Sequence, residues 1–152
     1  MQNDEVWMRL ALQEARLAAA EGEIPVGAVL VRDGQEVCRA HNLRENQHDP
    51  TAHAEILCMR RGAEKLGTWR LRGCTLYVTL EPCPMCAGAI VAARVGRVVY
   101  GAKDPRAGAF GSLLNLTDYP LEATPQICGG VLEGECLTPL RAFFAKKRNK
   151  PT

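Results

Sequence analysis

Residues 74–94 read Cys74-Thr-Leu-Tyr-Val-Thr-Leu80, then Glu81-Pro-Cys-Pro-Met-Cys86, then Ala87-Gly-Ala-Ile-Val-Ala-Ala-Arg94. The first seven residues are β-branched, aromatic or aliphatic, the composition of a strand. The last eight are small and apolar, which suits a helix. Between them stand two thiols three positions apart, introduced by Pro82. Pro84 falls at an early helical position, where a missing N–H costs little. Cys83 and Cys86 then share a face at the helix start, and the positive helix end favours both as thiolates. A strand running through such a turn into a helix is the unit of an α/β fold.

The flanking chain repeats that alternation. Downstream, 95–100 reads as a short strand and 101–112 as a charged loop punctuated by glycines. Residues 113–126 are irregular, with Pro120 and Pro125, and 127–132 supply a last strand. Residues 139–150 close the chain as a helix with Leu140, Phe143 and Phe144 apolar and a basic end. Upstream, residues from about 4 to 21 space Trp7, Leu10, Ala11, Ala15 and Ala18 at helical intervals, with Gly22 at the C-cap and Pro25 preventing resumption. The run 26–31 is apolar enough for a strand covered on both faces. Asp33-Gly34 predicts a hairpin turn into a second strand over 35–40. Residues 43–50 are polar loop, after which Asp49 or Thr51 caps a helix to about residue 66. Ligands in α/β sheets sit beyond the carboxyl ends of strands. That edge is where Asn42, the 81–86 turn and 101–104 fall.

The whole chain, 1–152, reads as a single domain. A net charge of +2 is too small to imply nucleic acid by itself, and the local clustering of Lys146, Lys147, Arg148 and Lys150 carries more weight. Those cations also suit a solvated helix end. No window is apolar enough to cross a membrane, and the polar opening residues do not form a signal segment. Seven cysteines without such a segment point to a reducing cytoplasm and not to a disulfide framework.

In that setting Pro-Cys-x-x-Cys suggests a metal site. Thiolate and imidazole are the ligands zinc prefers, and His53 can be the third. His53 and Glu55 fall in the first turn of a helix, two positions apart, so they converge only if another element approaches that end. Three protein ligands leave a tetrahedral position for water, whose pKa zinc lowers to roughly 7. Glu55 is then placed to shuttle a proton. Other readings are a redox dithiol or a four-thiolate structural zinc. The dithiol belongs in a first βαβ unit, and neither Cys128 with Cys136 nor Cys58 with Cys74 supplies a second close pair. Asn42, taken alone, is a turn residue bonding its own backbone.

His-Ala-Glu over 53–55 and Pro-Cys-Pro-Met-Cys over 82–86 together match the zinc deaminase signature. The stretches 25–31, 49–56, 76–83, 85–89, 97–102, 104–112 and 130–132, with Glu135-Cys136, resemble the bacterial tRNA-specific adenosine deaminases, so the likeness covers nearly the whole chain. The resemblance implies a three-layer α/β/α sandwich on a five-stranded mixed sheet, a homodimer, and one zinc per subunit held by His53, Cys83 and Cys86, with Glu55 catalytic. It implies conversion of adenosine to inosine at the wobble position of an arginine tRNA anticodon stem-loop. Asn42 and the backbone of Ala54 would meet the base. Asp104, Phe143, Phe144 and Arg148 would meet the RNA. The segment 121–128 departs from the Asn-His pair usual in these relatives, and Phe110 stands where they often have a small residue. Two rival functions remain at this stage. One is a free-base or nucleotide deaminase of guanine or cytosine type. The other is a non-catalytic, zinc-stabilised RNA-binding module, against which Glu55 speaks.

Overall fold

The computed structural model describes residues 3–149. Helix α1 (Asp4–Ala20) is capped by Asn3, whose side chain accepts the Val6 N–H. Its inner face is Met8, Ala11, Leu12, Ala15 and Ala18. Trp7 and Leu10, which the spacing placed inward, pack half-buried on the flank of the core. A helix lying on a sheet presents a broad stripe, so neighbouring positions share the work.

Strands β1 (Gly27–Arg32) and β2 (Gln35–His41) form the expected hairpin, with Asp33 at φ 52° and Gly34 at φ 73° in its turn. Helix α2 (Ala54–Leu66) follows, then β3 (Cys74–Leu80), α3 (Pro84–Ala92), β4 (Arg97–Ala102), β5 (Gln126–Cys128) and α4 (Glu133–Arg148). The five strands form one sheet in the order β2-β1-β3-β4-β5. β1 is antiparallel to both of its neighbours, while β3, β4 and β5 are parallel. The carboxyl ends of β2, β3, β4 and β5 therefore share one edge, and β1 enters from it. Central β3 is buried from Cys74 to Thr79, with helices on both faces. α1 and α4 cover one face, and α2 with α3 beside it covers the other. This is the expected α/β/α sandwich on a mixed sheet. Among the described residues no helix is long and apolar enough to cross a membrane.

Four boundaries move. β4 starts at Arg97 because Val95 and Gly96 finish the turn from α3, their N–H groups donating to the carbonyls of Ile90 and Cys74. Its far end extends too, so Gly101 and Ala102 belong to β4 and not to the loop. β5 ends at Cys128, since Gly129 lies against the Tyr100 ring and Gly130 turns the chain at φ 86°. α4 begins well before Pro139, which stands inside it. A proline gives up a helical N–H bond and so reads as a first-turn residue, which hid the two preceding turns from the sequence. The expected helix end at Lys150 lies outside the described residues.

Asp4 fastens α1 to the sheet. Its carboxylate accepts the Tyr77 hydroxyl at 2.7 Å and both Arg97 guanidinium nitrogens at 2.9 and 2.7 Å. The Arg97 bond, with further help from Tyr77 and against the effect of burial, holds the Asp4 carboxyl below its ordinary range.

Candidate active site

Two helix N-termini meet at the carboxyl edge of the sheet. His53 is the N-cap residue of α2 and Cys83 that of α3. Both have extended backbones, and neither side chain bonds its own helix, which is what an N-cap ordinarily does. The cap expected at Asp49 or Thr51 is not formed. Asp49 instead accepts the Thr51 N–H and hydroxyl at 2.8 and 2.7 Å, closing the turn ahead of the helix. Because His53 stands outside the first helical turn, it and Glu55 converge despite a two-residue spacing.

The His53 Nδ1 lies 3.7 Å from the Cys83 sulfur and 3.4 Å from the Cys86 sulfur. The three donor atoms are all within 4.8 Å of one another. Tetrahedral zinc with nitrogen near 2.0 Å and sulfur near 2.3 Å puts such donors about 3.6 Å apart. The donor set and its spacing therefore fit zinc. In the cluster itself a hydrogen bond from Cys86, opposed by burial and aided by His53, brings the Cys83 thiol down to about 4. Cys86 is pushed up, first by Cys83 and then by burial and Glu55. The bond to Cys83 raises His53. The lowered Cys83 thiol is the readier of the two to ligate as thiolate, and a dication binding here would displace protons from the cluster.

Glu55 is 4% exposed. Its carboxylate meets its own backbone N–H and the Cys86 thiol, and burial pushes it up to about 7. A carboxyl group at that value can take and return a proton near neutral pH.

Above this floor opens a cavity of about 710 Å³ lined by Ile24, Val26, Asn42, His53, Ala54, Glu55, Cys83, Asp104 and one side of α4. Asn42 is buried and does two things. Its Oδ1 accepts the Arg44 N–H at 3.1 Å and its Nδ2 donates to the Ile24 carbonyl at 3.4 Å, the turn bonding its residue type suggests, while it also lines the cavity. Asp104 accepts the N–H groups of Arg106 and Ala107, shaping its own loop at the mouth. Phe144 and Arg148 line the α4 wall, Phe144 being 41% exposed. Phe143 is not among the lining residues. It packs edge-on against Phe144 at 5.5 Å with Lys147 over its face.

Sequence reasoning missed two carboxylates that hold the walls. Glu81, 2% exposed, accepts the N–H groups of Asp104, Phe110 and Ser112, each at 3.1 Å, and the Ser112 hydroxyl. Glu23, fully buried, accepts the N–H groups of Glu45 and Asn46 at 3.0 and 2.7 Å and the Asn46 amide at 2.6 Å. Each pins one loop of the mouth. Phe110, without an assigned role from sequence, is a buried core residue bridged to Asn115. Also missed were Arg44, Lys103, Arg106 and Arg141, which join Lys147 and Arg148 around the cavity. Lys103 and Arg106 stand in the charged loop after β4, Arg44 in the loop after β2 and Arg141 on α4, so only folding brings the three segments around one cavity.

Residues 1–102 match the cytidine and deoxycytidylate deaminase zinc-binding region. The chain belongs to this deaminase family. The deaminase is 51% identical over 151 residues to the tRNA-specific adenosine deaminase of Bacillus subtilis, covering 99% of this chain and 94% of that one. A solved structure from work on A-to-I editing by tRNA:A34 deaminases at the wobble position of transfer RNA superposes with a TM-score of 0.87 at 46% identity, covering 89% of this deaminase and 99% of that chain. Guanine deaminase from Bacillus subtilis superposes with a TM-score of 0.66 at 34% identity, covering 100% and 99% of the two chains. Deaminase chemistry is hydrolytic and zinc-dependent in this family, and the His53, Cys83 and Cys86 group could hold the ion.

Proposed function

We propose that this deaminase, a single domain over 1–152 working as a cytoplasmic homodimer, converts adenosine to inosine at the wobble position of an arginine tRNA anticodon. The carrying observation is that buried Glu55 meets the Cys86 thiol beside the His53, Cys83 and Cys86 donor group, with Glu55, His53 and Cys83 lining a cavity ringed by six cations. His53, Cys83 and Cys86 hold one zinc. An ion held there would supply Lewis acidity that lowers the pKa of a water toward neutral.

Glu55 takes the proton at its carboxylate and returns it to the purine amine as water replaces ammonia at C6. The backbone at Ala54 and the Asn42 side chain face the base and orient it. The target carbon is reached only when the base leaves its stack, and an anticodon loop presents its bases unstacked. Arg44, Lys103, Arg106, Arg141, Lys147 and Arg148 surround the mouth with charge suited to a phosphate backbone. Asp104, Phe144 and Arg148 meet the nucleotides beside the target, with Phe143 supporting Phe144. The likeness to the Bacillus subtilis tRNA deaminase supports the substrate.

The test is turnover by zinc-loaded protein of an unmodified arginine anticodon stem-loop bearing a wobble adenosine, beside free adenosine, cytidine and guanine, read by mass spectrometry. Inosine in the stem-loop alone is expected. Xanthine from guanine with an untouched stem-loop would transfer the same chemistry to the guanine deaminase reading, which the likeness to that enzyme keeps in view. Sedimentation at micromolar concentration checks the dimer.

A further inference from the structure

We propose that Cys38 and Cys58 are a peroxide-oxidisable dithiol that closes to a disulfide, strapping α2 to the edge strand β2. The two residues are distant in sequence, yet their sulfurs lie 3.8 Å apart. Each thiol also reaches the other's peptide: Cys38 Sγ is 3.2 Å from the Cys58 carbonyl, and Cys58 Sγ is 3.7 Å from the Cys38 carbonyl. With the sulfurs already 3.8 Å apart, rotation about the two side-chain torsions is the movement that would close them to a bond of about 2.05 Å. α2 lies close on the sheet here because Gly62, one turn past Cys58, has no Cβ to collide with Leu30.

The surroundings divide the roles. Cys38 is half-buried and reachable, whereas Cys58 is fully buried. Lys65 donates to the Val37 carbonyl and Arg61 to the Arg39 carbonyl, both at 2.9 Å, so two cations flank Cys38 along the exposed edge of the sheet. The Cys58 hydrogen bond, opposed by burial and reinforced by Lys65 and Arg61, lowers the Cys38 thiol from its ordinary value. Cys38 is thus the thiol that attacks and Cys58 the one that resolves. The Cys38 thiolate attacks one oxygen of a hydroperoxide, the O–O bond breaks, and sulfenic acid forms with release of hydroxide or alkoxide. Cys58, giving up its proton, then attacks the sulfenic sulfur and water leaves. The pair is oxidised by two electrons and the peroxide reduced by two. Among the described residues no imidazole or carboxylate is bonded to either thiol, unlike Cys83 and Cys86, so the geometry favours a dithiol over a metal site.

The test treats zinc-loaded protein with stoichiometric hydrogen peroxide, blocks the remaining thiols by alkylation and maps peptides by mass. The expected product is a peptide linking Cys38 to Cys58, with zinc content unchanged. Its thermal midpoint should rise by roughly 5–10 °C and return on reduction. Cys58→Ser should stop at a Cys38 sulfenic acid that a 1,3-diketone probe traps. Cys38→Ser, at the more exposed position, should leave Cys58 unoxidised. Further oxidation of Cys38 without the linked peptide in the wild type would overturn the proposal. So would oxidation reaching Cys83 and Cys86 first, with zinc release.

Discussion

Glu55 and Glu81 are both buried at the carboxyl edge of the sheet, both line the cavity, and differ in what meets them. Glu81 is surrounded by three backbone N–H groups and a hydroxyl, so its oxygens are taken up in fixing the 104–112 loop. Glu55 has its own N–H and a thiol, and burial raises its pKa. A buried carboxylate saturated with donors becomes structure, and one left short of donors stays available to a proton. Glu23 repeats the first pattern, and Glu14 shows a third, meeting the His41 imidazole at 3.0 Å.

The largest effect is expected from removing the thiol that Glu55 faces. Cys86→Ala takes away a donor of the cluster, so zinc content should fall toward zero, deamination should vanish and the thermal midpoint should drop, because binding here is coupled to folding. Zinc retained at one per chain would break the ligand assignment. Next is Glu55→Gln, expected to cost on the order of 10²–10⁴-fold in turnover with zinc kept and the thermal midpoint unchanged or higher. If turnover survives, Glu55 is structural after all and the contrast with Glu81 collapses.

Glu81→Gln should do the reverse. Its amide group turns a donor toward N–H groups that need acceptors, costing about 1–3 kcal/mol in denaturant unfolding, with metal content normal and activity reduced mainly through KM. Glu23→Gln should match it, acting through the 43–50 loop. A pair of variants that lose kcat without stability would place these carboxylates in the chemistry instead.

The smallest effect concerns Glu14. His41 also bonds Glu21 at 2.9 Å, so both ring nitrogens face carboxylates. Burial works against the charged ring, but the bonds to Glu14 and Glu21 outweigh it and raise the His41 pKa. A raised folded value contributes stability below the unfolded value near 6.5, and that contribution disappears as pH climbs through the folded one. The thermal advantage of wild type over His41→Gln should therefore be greatest near about pH 6 and shrink toward about pH 9. An advantage that grows with pH would reverse the assignment.

Legibility followed the range of the interaction. The hairpin at Asp33-Gly34, the β3 strand and the α3 start at Pro84 are local, written in turn chemistry, β-propensity and a proline that tolerates a missing N–H. The start of α4 was hidden because Pro139 mimics a helix beginning. The cap of α2 was misplaced because Asp49 looks like a better cap than His53, yet only His53 reaches across to Cys83.

The sequence by itself carried the α/β alternation, in local propensity and turn chemistry, and named His53, Cys83, Cys86 and Glu55 as candidates through a signature resemblance, while spacing alone left their convergence open. Only the tertiary structure decided that Glu81 and Glu23 serve the loops, that six cations from separate segments ring one cavity, and that Cys38 meets Cys58. The physical reason is burial. A carboxylate or thiol has the same formula everywhere, and the donors, charges and water that surround it after folding set what it does.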